Sequence, residues 1–215
     1  MSEARQDRLR SALKRAASAL KADGPPFALG GSYALWVHGG PEPEHDVDFV
    51  VAEPDADRAA EVLAAAGFEI ERPAEDWLFK ARIDDALVDV LHRLNAVPVE
   101  PELVASAETY ELLGLPMPVL DATFLTIVRL RSLSEHYCDF ASLLPATRAV
   151  REQLDWPRIA AETADNDFAV AFLVLTERLG ISPEDRRQGG LDGEDALRTG
   201  SSEEGAETQP RALRA

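Results

Sequence analysis

Asp46 and Asp48 stand one residue apart in HDVDFVVA, residues 45–52, where Val47, Phe49, Val50 and Val51 suit a buried strand. Side chains two residues apart on a strand project from the same face, so the two carboxylates share one face of any sheet this segment joins. At about 5–6 Å apart and an effective dielectric near 20, two such charges repel by roughly 3 kcal/mol. Burial adds a further cost unless a cation or hydrogen-bond donors compensate it. A fold that accepts this strand must therefore provide a cation or hydrogen-bond donors beside it.

The segments on either side define the surroundings. PFALGG, 26–31, reads as a short apolar strand ending in glycines. SYALWVHGG, 32–40, reads as a helix with Ser32 at its start and Gly39-Gly40 at its end. Ahead of both, Leu9, Leu13, Ala16 and Leu20 recur at helical spacing over 4–22, and Gly24, Pro25 and Pro26 stop that helix. After the acidic strand, Pro54 opens a helix that Gly67 ends, and residues 68–71 form a short strand. WLFKARIDDALVDVLHR, 77–93, reads as two strands joined at Asp84-Asp85. A two-residue turn there sets positions summing to 169 opposite one another, so Lys80 faces Asp89.

From about residue 101 the pattern is mostly helical. PELVASAE, DATFLTIVRLRSLSEH, CDFASLLPATRAVREQL, WPRIAAETA and DFAVAFLVLTERLG each carry helical spacing, and Pro116 and Pro118 of LPMPVL mark where this half begins. After about Ile181 large apolar residues are nearly absent, which predicts a disordered acidic tail. The expected layout is an α/β domain over 1–100, a helical domain over 101–180 and a tail over 181–215. With 46% hydrophobic residues among 215, the chain can bury one good core. No apolar run approaches the roughly 20 residues of a membrane span. The first helix lacks the apolar stretch and cleavage site of a signal peptide. The single cysteine, Cys138, excludes an internal disulfide framework and points to a reducing cytoplasm. A net charge of −17 argues against broad contact with a nucleic-acid backbone and favours a small cationic molecule or a protein partner.

Three features now align: a strand ending in Gly30-Gly31-Ser32, Asp46-Val47-Asp48 on a second strand, and Asp89 between two valines on a third. Over roughly residues 26–93 this resembles the nucleotidyltransferase superfamily of the DNA polymerase beta type. The resemblance implies an α/β (α+β) fold, a small mixed sheet flanked by helices, followed by a helical C-terminal region. It implies transfer of a nucleoside monophosphate from an NTP to a hydroxyl acceptor, with release of pyrophosphate. Asp46, Asp48 and Asp89 would be the catalytic and metal-binding residues, holding Mg²⁺ or Mn²⁺. Gly30, Gly31 and Ser32 would seat the phosphates. The physics of the residues agrees, because Mg²⁺ takes carboxylate and phosphate oxygens together and is rarely caged by protein alone. A helix start after two glycines offers free amides and a hydroxyl to a phosphate.

Other residues carry alternatives. Lys80 could reach phosphate, and its cross-strand pairing with Asp89 competes with that role. Aminoglycoside and lincosamide nucleotidyltransferases and the abortive-infection toxins carry an arginine shortly before the paired acids; here the segment is Pro41-Glu42-Pro43-Glu44-His45. His45 could fill part of that role, and as a lone histidine it reads more simply as an exposed strand-edge residue. Arg129 and Arg131 lie on the helix of the second half where the toxin relatives use a basic residue, and they read more simply as surface residues with long apolar stems. His136, Cys138 and Asp139 share no single face, which speaks against zinc. Trp36, Trp77 and Trp156 read as core or partly buried aromatics. A small-molecule acceptor suits the acidic charge better than a tRNA end, which would need a basic channel. A nucleotide-binding or toxin–antitoxin module with the same fold and little turnover is the alternative, and the absent arginine favours it.

Overall fold

The computed structural model describes residues 3–183. Helix α1 (Glu3–Asp23) buries Leu9, Ala12, Leu13, Ala16, Ala17 and Leu20, the face that the spacing of its apolar residues marks out. The Gly24 amide closes it on the Leu20 carbonyl at 2.9 Å, and the chain enters β1 (Phe27–Leu29). After β1 come α2 (Gly31–Val37) and β2 (Val47–Val51). A 3-10 turn (Glu53–Asp55) then leads into α3 (Ala56–Ala65), and β3 (Glu69–Glu71) follows.

The hairpin of β4 (Leu78–Ile83) and β5 (Ala86–Leu91) turns at Asp84 and Asp85, both at positive φ. That conformation fits a two-residue turn whose twist matches the strands. The register is the expected one: Lys80 lies opposite Asp89. β5 also runs parallel to β2 with Asp48 opposite Asp89. Lys80, Asp89 and Asp48 therefore form one row across three neighbouring strands.

After a small hairpin, β6 (Arg93–Leu94) and β7 (Val97–Pro98), and the short helix α4 (Pro101–Ala105), the structure departs from the expected helical half. Residues 108–119 form a further hairpin, β8 (Glu108–Leu112) and β9 (Leu115–Val119), which extends the main sheet. The seven strands run in the order β3-β4-β5-β2-β1-β9-β8. Pro116 and Pro118 are tolerated in β9 for a reason of parity. The Leu120 amide donates to Leu29 of β1, so amides of even-numbered residues point toward β1. The N–H groups that the prolines lack therefore belong to the β1 side, where β1 pairs with β9 only at Leu29 and Val119, and not to the β8 ladder that holds the hairpin.

The remaining chain is helical as the spacing predicts: α5 (Ala122–Arg131), α6 (Phe140–Val150), α7 (Trp156–Glu162) and α8 (Asp167–Arg178). Asp121, Asp139, Asp155 and Asn166 cap these four helices by accepting backbone N–H bonds. Trp36 and Trp156 are half-buried, whereas Trp77 is 41% exposed and so is not a core residue; its carbonyl takes the amides of His92 and Arg93. Ile181 is buried and its amide bonds to Thr176, so the packed chain reaches past the residue where the acidic tail was expected to begin. The rest of that expected tail, from 184 onward, lies outside the described residues.

Candidate active site

The site forms where β1 ends and β2 and β5 pass beside it. Gly30 is extended and donates its amide to the Asp48 carbonyl at 2.9 Å, which stitches the turn to β2. Gly31 has φ +53°, and a Cβ there would overlap the Asp48 carboxylate. The close approach that demands glycine is thus between Gly31 and an acid of the neighbouring strand. Helix α2 begins at Gly31, one residue before Ser32.

Asp46 precedes β2, Asp48 lies within it, and Asp89 comes from β5. One carboxylate oxygen from each lies within 4.8 Å of the other two. Asp89 is only 7% exposed. Burial, then the charges of Asp46 and Asp89, push the Asp48 carboxyl up to about 7; Arg129 and the Ser32 amide pull the other way. The Asp89 carboxyl is also raised, chiefly by burial, while Lys80 opposes the shift. The Lys80 Nζ lies 3.3 Å from both Asp89 oxygens. Three clustered carboxylates are an all-oxygen donor set, and together they carry more negative charge than the one adjacent lysine offsets. That fits a hard divalent cation.

Arg129 is the residue the sequence misplaced. It projects from α5 and is half-buried, and its guanidinium donates to the Ser32 hydroxyl at 2.6 Å. Burial lowers its pKa, and Asp48 and Asp46 oppose that shift. Among the described residues it has no carboxylate within ion-pair distance, so the Ser32 hydroxyl is the partner that holds its fork of donors there. Arg131, two residues on, is exposed as expected. Helical spacing identifies which face of α5 is buried but not which long polar side chain reaches across to a turn 97 residues away.

His45 is exposed beside Asp46 and makes no hydrogen bond among the described residues. The loop that carries it is anchored elsewhere. Arg10 of α1 pairs with Glu42 at 2.6 Å and lies 5.9 Å over the Trp36 ring. His136 and Cys138 are exposed, and Asp139 caps α6. Among the described residues the three aspartates are the one cluster with metal-ligand spacing.

The backbone resembles solved enzymes of one kind. ANT(2'')-Ia, in complex with adenylyl-2''-tobramycin, superposes with a TM-score of 0.54 at 16% identity, covering 76% of this chain and 98% of that one. The chain has the nucleotidyltransferase fold. The lincosamide antibiotic adenylyltransferase LnuA, bound to lincomycin, superposes at 0.46 with 11% identity over 63% of this chain and 92% of its own. No protein-family model and no curated protein matches the sequence. Within the nucleotidyltransferase fold of this chain, the paired acids and the third acid converge beside the glycine turn. Among the described residues no helix is long and apolar enough to cross a membrane.

Proposed function

We propose that this chain transfers a nucleoside monophosphate from an NTP to a hydroxyl acceptor. The observation that carries the reading is the convergence of Asp46, Asp48 and Asp89 within 4.8 Å, beside a turn in which Gly31 admits the Asp48 carboxylate. Asp46, Asp48 and Asp89 would hold Mg²⁺ or Mn²⁺, which supplies Lewis-acid stabilisation of the negative charge on the reacting phosphates. Gly31 and Ser32 seat the anionic end of the nucleotide through the Gly31 amide and the Ser32 hydroxyl, and Gly30, whose amide is held by the Asp48 carbonyl, fixes the shape of that turn. Arg129, bonded to Ser32 and without a carboxylate partner among the described residues, adds a planar donor fork for phosphate oxygens. The acceptor oxygen attacks the α-phosphorus, the bond to the β-phosphate breaks and pyrophosphate leaves. Asp89 takes the hydroxyl proton, and Lys80 keeps that carboxylate oriented.

A net charge of −17 supports a neutral or cationic small molecule as acceptor over a nucleic-acid end. Purified chain with labelled NTPs, Mg²⁺ and an extract of cell metabolites should release pyrophosphate and label a small product, and Asp48→Asn should abolish both. Absence of pyrophosphate from every NTP, with any metal, overturns the transferase reading. The loop from Pro41 to His45, with no arginine before Asp46, supports a second reading as a nucleotide-binding module with little turnover. A metal-dependent thermal shift with NTP but no pyrophosphate would select it.

A further inference from the structure

The last described helix, α8, turns apolar side chains outward as well as inward. α8 buries Ala169, Phe172 and Thr176 against the rest of the molecule. On its opposite face Asp167, Val170, Ala171, Val174 and Arg178 are all exposed. Their spacing of i, i+3, i+4, i+7 and i+11 confines them to an arc of about 100°, a continuous stripe. Val170 is 41% and Val174 54% exposed, and Leu179 at the helix end is 46% exposed. These three are half of the large apolar side chains exposed among the described residues. A helix apolar on nearly every side belongs in a buried setting.

The two ends of the stripe say what covers it. Asp167 sits in the first turn and Arg178 in the last, and neither has an ion-pair partner among the described residues. Reversed end for end, the stripe presents the opposite charge at each end and the same apolar centre. A two-fold axis between Phe172 and Leu173 sets Asp167 against the second copy's Arg178, and the reverse. The same axis places Ala171 against the second copy's Val174, with a small side chain where the backbones come closest. We infer that this face of α8 is an isologous contact with a second copy of the chain. It is independent of the transferase reading.

The contact is one short helix against its twin, so the association is weak. In about 150 mM salt, which screens the repulsion between two acidic chains, sedimentation equilibrium of the full chain should show it. The mass should rise from 23.4 kDa toward twice that value between about 1 and 200 µM. Val174→Glu should hold the monomer mass throughout. Asp167→Arg or Arg178→Asp alone sets like charges at both ends and should weaken association about tenfold. The double variant D167R/R178D should restore it, an outcome that only a contact with a second copy in this orientation gives. Melting at 1 µM checks that each variant folds, and the charge exchange decides if Val174→Glu does not. A full chain that stays at 23.4 kDa, or charge variants that associate like the wild type, overturns the inference. So does association of a chain ending at Pro183 when the full chain stays monomeric, which would assign the face to residues 184–215.

Discussion

At Gly31 a side-chain carbon would overlap the Asp48 carboxylate, and φ is +53° besides. Gly31→Ala therefore meets strain twice, about 1–3 kcal/mol for the backbone alone. Chemical denaturation should show that loss, and NTP with Mg²⁺ should no longer raise Tm. Asp48 carries the pH dependence. Its folded carboxyl is pushed up to about 7, above the unfolded value near 3.9, so the metal-free fold holds the proton more tightly. Stability should then be greatest below about pH 4 with respect to this group and fall as pH rises toward about 7. Mg²⁺ should flatten that slope, because it replaces the proton as the neutralising charge. Asp48→Asn should reduce it without metal, leaving the part that the raised Asp89 carboxyl contributes, and melt higher than wild type at pH 8, as the amide relieves repulsion. A variant that instead melts lower at pH 8, with an unchanged Mg²⁺ response, would make Asp48 a structural partner of Arg129.

Between elements, the row Lys80–Asp89–Asp48 across β4, β5 and β2 decides how much charge the fold itself balances. Its first two members were legible because a two-residue turn at Asp84-Asp85 fixes register by arithmetic. The alignment of β5 with β2 was not, since parallel neighbours are joined by no local turn. The β8–β9 hairpin was missed for the converse reason. Its turn is Leu113-Gly114 at positive φ, lacking the Asn-Gly or Asp-Gly signal, and its second strand carries two prolines. Lys80→Met tests the row. It leaves the buried Asp89 carboxylate uncompensated and should cost on the order of 2–3 kcal/mol without metal. Mg²⁺ should recover part of the loss and stabilise this variant more than the wild type, as read from denaturation midpoints with and without the ion. Equal Mg²⁺ responses in the two proteins would mean that Asp89 does not share the metal.

For the whole molecule the governing quantity is the net charge of −17. It was readable from composition, and the helical region that follows the sheet from its apolar spacing, but the size of the sheet was not, because that depends on which strands find one another. Folding concentrates the excess charge, so screening should stabilise the chain. Raising NaCl from about 10 to 200 mM shortens the screening length from roughly 30 Å to under 10 Å and should raise Tm by a few degrees. This general response complicates any metal effect, since Mg²⁺ also screens. The two separate by magnitude. About 5 mM MgCl₂ has an ionic strength near 15 mM, so screening alone predicts the small shift of about 15 mM NaCl. An ion held by Asp46, Asp48 and Asp89 stabilises by mass action in addition, and the excess should grow with the logarithm of its concentration above the dissociation constant. Melts of wild type and Asp48→Asn in MgCl₂ and in NaCl of matched ionic strength resolve them. The variant should follow the NaCl curve in both salts, and the wild type should exceed it only in MgCl₂. Superimposable wild-type curves would reduce Mg²⁺ to a counterion and leave the acid cluster without the cation that its chemistry requires.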